Sequence, residues 1–533
     1  MSPKKEYGDF QTPLSLARRV AALVKQEERD AATIVEPTCG VGTFLQAAAE
    51  LFGKSTKYWG FDVNADYVEE ASAVLARIGL CAATVQQRDF YTTNWREFLG
   101  AQSQPLIIIG NPPWITNAGM GVIGGKNLPE KSNFQGHGGF AAKTGKANFD
   151  ISEWMLIRLL EALQGKRAAI AMLCKTATAR KVLRHTWLNG LEVGPSSLHL
   201  IDAAAEFGVS VEACLLYAHT GVGGIEPTAT VYRTLSFDEP LQTFGLFAGE
   251  LVSDIDTYRE LRDLDGLEYR KWRSGVKHDA AKVMEFTRDN GFFVNGLGEH
   301  FELEDDYIFP LLKSSDLANG RLQPARFVLL TQRRVADGTD DIQSRAPKTW
   351  RYLLDHADQL DKRGSSIYAN RAKFSIFGVG DYSFASAKVA ISGLYKNLHF
   401  QAIGSAGGKP IMVDDTCYFI PCGSVPEAEF FAGLLNCETA QRFIFALAFT
   451  DAKRPFTIDI LKRIDLKKLA EHARRETTAV EYLSSPPLES SHQRLLVLEA
   501  KEKYRTDSTL PPKASRGDSR FRQSQTLSEA ADL

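Results

Sequence analysis

The sequence predicts an α/β protein whose first part is a doubly wound sheet and whose second part is a separate mixed α+β domain. Two observations lead to this. Up to about residue 230, short β-branched runs alternate with amphipathic stretches, the pattern of βαβ units around a parallel sheet. Within it, Leu106 to Ile109 is wholly apolar and closes on Gly110, as a strand covered by helices on both faces requires.

The elements follow in order. Ala32 to Val35 reads as the first strand and Thr43 to Phe52 as a helix, then Lys57 to Phe61 as the second strand and Ala65 to Ile78 as a helix. A third strand closes at Asp89 and Phe90, and Leu106 to Ile109 is the fourth. Asp150 to Leu163 reads as a helix, Ala168 to Leu173 as a strand, and Leu198 to Ile201 and Cys214 to Ala218 as two more. Between Ile115 and Ala147 the pattern breaks into a Gly-rich, Lys-bearing stretch longer than an ordinary connection, the mark of a functional or disordered segment. After about Thr230 the alternation fades. The expected units are therefore 1–237 for the sheet, 238–483 for the second domain and 484–533 for a tail. That tail is polar, poor in branched apolar residues and expected to be disordered.

Bulk properties narrow the class. A chain of 533 residues is too long for one ordinary core, and its 44% apolar and 24% charged content is that of a soluble globular protein. No segment offers the roughly 18 uninterrupted apolar residues of a membrane helix, and no apolar run follows the first lysines, so a cytoplasmic protein is expected. The seven cysteines show no CxxC spacing and no accompanying histidine cluster, so no metal is expected. Net charge is only −2, yet Arg321 to Lys373 carries eleven Lys/Arg against six Asp/Glu, a local basic excess interleaved with Trp350, Tyr352 and Tyr368.

The residues that carry chemistry form a series along the first part. Glu36-Pro37-Thr38-Cys39-Gly40-Val41-Gly42 follows the first strand and opens a helix, placing two glycines where a turn must let a ligand approach the backbone. There is no third glycine, which argues against a dinucleotide fingerprint. Twenty residues beyond Gly42, Asp62 ends the second strand, where a carboxylate can accept hydrogen bonds from ribose hydroxyls or cap the next helix. Asp89 and Phe90 stand where a carboxylate and a ring could take an adenine. Asn111-Pro112-Pro113-Trp114 comes directly after the buried fourth strand. Its two prolines fix φ and remove two backbone donors, leaving a rigid elbow with free carbonyls at the carboxyl edge of the sheet.

Taken together, the series resembles the N6-adenine DNA methyltransferases of the amino-methylating class, with an N-terminal catalytic domain and a C-terminal target-recognition domain, as in the TaqI-like and Eco57I-like enzymes. Gly8-Asp9-Phe10-Gln11-Thr12-Pro13, the loop from Glu36, Asp62, Asp89-Phe90 and Asn111 to Trp114 match the family's motifs in order and spacing from Gly8 to about Ala218. Lys146 to Asp150 and Ala205 to Ser210 extend the match. No residue match is made beyond Asp238. The resemblance implies a Rossmann-like class I methyltransferase fold with S-adenosyl-L-methionine as cofactor. Thr12, Pro13, Glu36, Pro37, Thr38, Cys39, Gly40, Gly42, Asp62, Asp89, Phe90 and Asn111 would bind that cofactor. Asn111, Pro112, Pro113 and Trp114 would be catalytic, and Trp114 and Phe207 would sandwich a flipped base.

The function implied is methyl transfer to N6 of an extruded adenine in double-stranded DNA, within a restriction-modification or related defence system. Lys126 and Lys143 in the Gly-rich stretch, with Arg333, Arg334, Lys362, Arg363 and Arg371 in the basic one, are expected to meet DNA. A monomer is expected, with any cognate endonuclease a separate protein. Methylation of cytosine C5 would need a cysteine in the catalytic loop, and none lies near Asn111. Methylation of protein glutamine or of RNA by the same Asn-Pro-Pro-aromatic chemistry stands as the alternative, and N4-cytosine stays open.

Overall fold

The computed structural model describes residues 11–80, 83–115, 150–221 and 224–484. Lys126, Lys143, Gly8 to Phe10, Lys146 to Phe149 and the expected tail from 485 onward lie outside the described residues.

The chain opens with helix α1 (Leu14–Glu27), which sequence pattern alone does not predict, and then alternates as expected: β1 (Thr33–Glu36), α2 (Thr43–Phe52), β2 (Lys57–Asp62), α3 (Ala65–Arg77), β3 (Thr84–Gln87), α4 (Trp95–Gly100), β4 (Leu106–Gly110), α5 (Ile151–Ala162), β5 (Ala168–Lys175), α6 (Thr176–Leu188), β6 (Val193–Ile201), α7 (Ala203–Phe207) and β7 (Ala213–Thr220). Three further strands, β8 (Thr228–Tyr232), β9 (Pro240–Phe247) and β10 (Glu250–Val252), complete one ten-stranded sheet in the order β10-β9-β8-β6-β7-β5-β4-β1-β2-β3. Strands β3, β2, β1, β4 and β5 run parallel, and β7 inserts antiparallel between β5 and β6. The boundary expected near Asp238 falls in the β8–β9 hairpin, so the sheet itself continues to Val252.

Strand β4 explains why the sheet is doubly wound. Side chains alternate faces along a strand, and Leu106 and Ile108 enter one apolar core with α5 and α6 while Ile107 and Ile109 enter another with α1 and α2. All four are essentially inaccessible to water. At about 25 cal/mol per Å² of apolar surface buried, such a run holds both helical layers in place. Strand order reverses between β1 and β4, and a sheet of this kind opens its ligand crevice at that switch point, outside the carboxyl ends of the strands.

Beyond Val252 the chain forms the expected mixed α+β domain. A four-stranded sheet joins Arg273–Ser274, Cys417–Cys422, Ala387–Ser392 and Gln401–Ile403, and a six-stranded one is built mainly from Glu285–Asp289, Phe292–Asn295, Ile308–Leu312 and Arg326–Leu329. Helices Val425–Leu435 and Glu438–Leu447 pack on the former. The domain is tied back to the large sheet where Asp451 accepts two hydrogen bonds of 2.7 Å from Arg180 of α6, whose guanidinium also lies over the Phe449 ring. Among the described residues, no helix is long and apolar enough to cross a membrane, and no cluster of His, Cys, Asp or Glu is placed to hold a metal.

Candidate active site

The residues singled out along the first part converge on the carboxyl ends of β1, β2, β3 and β4. After β1 the chain turns through Gly40 and Gly42, at φ +49° and +80°, a left-handed backbone that β-carbon-bearing residues rarely adopt. A Cβ on Gly40 would come within 2.8 Å of the Gln11 amide, and one on Gly42 within 3.3 Å of the Ala71 main chain. The turn closes through Gly42 N–H donating to the Cys39 carbonyl at 2.8 Å. Asp62 clamps it from the next strand, its two carboxylate oxygens accepting the Gly40 and Asn64 N–H groups at 2.9 Å each. Helix α3 is capped by Asn64 rather than Asp62, which leaves Asp62 half-buried at the crevice.

Glu36 sits beneath this turn, almost fully buried, accepting the Leu45 N–H at 3.3 Å. Burial pushes its carboxyl well above the usual range, and the nearby Asp62 charge pushes it further. The folded state therefore holds this proton to higher pH than the unfolded chain. The associated stability is complete below the ordinary glutamate value of about 4.3 and is lost as pH rises through the folded value. Glu36→Gln, which keeps the acceptor, is expected to gain thermal stability relative to the parent as pH rises through this window, measured by melts of protein without cofactor. Cys39 packs into the same core, and burial beside Glu36 and Asp62 pushes its thiol well up, which disfavours the thiolate. Pro37 is buried beside it, and the Thr38 hydroxyl is buried without a hydrogen-bond partner among the described residues.

Asp89 follows β3, half-buried, with its carboxylate accepting the Tyr91 N–H at 2.9 Å. Phe90 departs from expectation. Its ring is 5% exposed and packs on Trp95 at 4.8 Å and Trp154 at 6.0 Å, so it belongs to the core and offers no open face.

The elbow leaves β4 with Asn111 half-buried, Pro112 buried and Trp114 7% exposed. Asn111 Nδ2 donates to Thr12 Oγ1 at 3.2 Å, which joins the segment ahead of α1 to the elbow. Pro13 precedes that helix and its carbonyl accepts the Leu16 and Ala17 N–H groups. Trp114 donates from its indole nitrogen to the Leu173 carbonyl at 3.4 Å and meets Phe207 edge to face, ring centres 5.3 Å apart. The two aromatics matched from sequence are thus neighbours, though in edge contact rather than facing each other across a slot. Lys175, which sequence reading passed over, donates to the Trp114 carbonyl at 2.9 Å and pairs with Asp150 at 2.6 Å. The one available signal was a lysine closing an otherwise apolar strand.

The basic stretch changes most on folding. Arg334 forms a two-pronged pair with Asp381 at 3.1 and 2.8 Å. Arg363 turns inward to the Leu360 and Ser375 carbonyls at 2.7 and 2.8 Å and lies 3.8 Å over the Tyr368 ring. Arg363 is thus spent on its own domain, whereas Arg334 keeps an exposed guanidinium beside Asp381. Tyr352 is likewise core, its hydroxyl donating to the Val283 carbonyl at 2.6 Å, and Trp350 packs on Phe374. Arg333, Lys362 and Arg371 are exposed as well.

These features fit S-adenosylmethionine. The left-handed turn would lose its room to any β-carbon, the buried Thr38 hydroxyl awaits a partner, and Glu36, Asp62 and Asp89 line adjacent strand ends with oxygen acceptors suited to a cationic, hydroxyl-bearing ligand.

Comparison with known proteins agrees. Residues 2–177 match the model of the N-6 DNA Methylase family. The type II methyltransferase M.NspV of Nostoc sp. is 40% identical over 470 residues, covering 88% of this chain and 98% of that protein. Among solved structures, the Type IIL restriction-modification enzyme MmeI in complex with DNA aligns over 93% of this chain and 76% of its own, with a TM-score of 0.51 at 11% identity, a likeness of fold. With its elbow, glycine turn and strand-end carboxylates in one crevice, the chain belongs to the N-6 DNA methylase family and uses S-adenosylmethionine.

Proposed function

We propose that this DNA methyltransferase transfers a methyl group to N6 of an adenine flipped out of double-stranded DNA, as the modification partner of a separate restriction endonuclease. The observation that carries it is the Asn111 elbow at the switch point of the sheet, its amide nitrogen engaged by Thr12 and Trp114 and Phe207 adjacent. With Nδ2 donating to Thr12, Oδ1 is the acceptor end of the amide, and the Pro112 carbonyl is a second acceptor next in sequence. Two acceptors suit an exocyclic amino group, which has two hydrogens to give.

An adenine amino group is a weak nucleophile because its lone pair is delocalised into the ring. Accepting both hydrogens draws the nitrogen toward tetrahedral geometry and localises the lone pair. Bound S-adenosylmethionine supplies an electrophilic methyl group on a sulfonium. Asp62 would hold the ribose hydroxyls and Asp89 the adenine amino group, with the main chain at Phe90 beside it, since the Phe90 ring is committed to the core. The Asp62 carboxylate favours positive charge in the crevice. Most of the acceleration then comes from holding two reactants in line and from dipoles aimed at charge developing on nitrogen. Extrusion costs a few kcal/mol of stacking and pairing. Trp114 and Phe207 offset that cost once their edge contact opens to admit the base.

Arg333, Lys362 and Arg371 are proposed to meet phosphates. Each alanine variant is expected to lower the slope of log binding constant against log salt by about 0.9, uniformly across sequences. Fluorescence anisotropy at several salt concentrations measures this. Arg363→Ala is expected to lower thermal stability instead. The test of the function is identification of the methylated nucleoside after digestion of labelled duplex. N6-methyladenine is expected; N4-methylcytosine, or label confined to RNA or polypeptide, overturns the reading.

A further inference from the structure

We infer that Lys175 is a positioning residue for the elbow, acting through Trp114 rather than on the reactants; this rests on the function proposed above. Strand β5 runs beside β4 with Met172 opposite Gly110, so its last residues overhang β4 and lie along the elbow. That overhang grips Trp114 at two points. The Leu173 carbonyl accepts the indole N–H at 3.4 Å, and Lys175 Nζ donates to the Trp114 carbonyl at 2.9 Å. The prolines at 112 and 113 fix their own φ angles, whereas Trp114 carries no such ring and lies past the end of β4. Lys175 adds a main-chain anchor there, beside the indole anchor at Leu173.

Asp150 makes the arrangement tolerable. It is buried, its second oxygen caps α5 by accepting the Ser152 N–H at 3.1 Å, and its first neutralises Lys175 at 2.6 Å. An unneutralised ammonium here would oppose positive charge developing on the target nitrogen. The next residue, Ile151, donates its N–H to the Ile115 carbonyl at 2.9 Å, so the start of α5 is laid directly against the end of the elbow. Lys175 thus ties β5, α5 and the elbow at one point, and a small displacement there moves both the aromatic wall and the acceptors of the amino group.

The test is single-turnover methyl transfer by Lys175→Met, Lys175→Arg and the double variant Lys175→Met with Asp150→Asn, alongside cofactor binding and thermal melts. Misplacement of about 1 Å in such a site costs on the order of a hundredfold. Lys175→Met is expected to slow transfer by about that factor with cofactor affinity unchanged, Lys175→Arg to recover most of it, and the double variant to stay slow. A Lys175→Met rate within about threefold of the parent overturns the inference. Recovery in the double variant overturns it too, because the loss would then come from an orphaned Asp150 charge. Rates are compared on whichever product the parent enzyme makes, so an unexpected modified base would count against the proposed function and leave this comparison intact.

Discussion

Replacing Asn111 with alanine is expected to lower methyl transfer by at least about a hundredfold to a thousandfold, the range for losing one polar group aimed at developing charge, while S-adenosylmethionine still binds. The two effects separate because the groups lie on different strands. Asn111 follows β4, whereas the glycine turn follows β1 and its clamp, Asp62, ends β2. The substitution removes one hydrogen bond to Thr12 and no buried apolar surface, so the fold should tolerate it. Tritiated-methyl incorporation and calorimetric cofactor binding on the same preparation check both halves. Equal loss of transfer and cofactor binding would mean that Asn111 is structural.

Asp62→Ala is expected to do the converse, weakening cofactor binding by about a hundredfold or more. Its carboxylate holds the Gly40 and Asn64 N–H groups at 2.9 Å, and a carboxylate oxygen can accept more than one hydrogen bond, a ribose hydroxyl's among them. Hydrogen bonds to charged groups contribute about 1.5–3 kcal/mol each, so losing the clamp and the ligand contacts together exceeds a factor of ten for even one of them. Transfer at saturating cofactor should recover part of the parent rate, since the elbow is untouched. Asp62→Asn, which keeps one acceptor oxygen, should fall between. A cofactor affinity equal to the parent's in Asp62→Ala would remove Asp62 from the binding site.

What the sequence made legible follows from how local each feature is. Strand β4 and the elbow are written in nine consecutive residues, an apolar run followed by fixed φ angles, and both form where the pattern puts them. The clamp on the glycine turn was half legible: Asp62 was identified, but its bonds to Gly40 and Asn64 depend on the turn folding back across two strands. The basic stretch was legible only in part because charge counting ignores the partner each arginine finds. Arg334 meets Asp381 from outside the window that was counted, and Arg363 finds backbone carbonyls, pairings that only tertiary structure supplies. Phe90 failed for a related reason. A ring beside a strand-end carboxylate could face ligand or core, and the surrounding Trp95 and Trp154 decide for the core. Lys175 showed only as a lysine closing an apolar strand, because its two contacts reach residues distant in sequence, one of them through a backbone carbonyl.

The central claim is that the Asn111 elbow grips an exocyclic amino group of a base drawn out of the duplex. Placing 2-aminopurine at the target position and recording its fluorescence on binding tests this directly, because the base brightens when it leaves the stack. The account predicts strong enhancement at the methylated position alone, reduced in Trp114→Ala. A base that stays stacked and quenched in the saturated complex, while the matching adenine duplex is methylated under the same conditions, would contradict it.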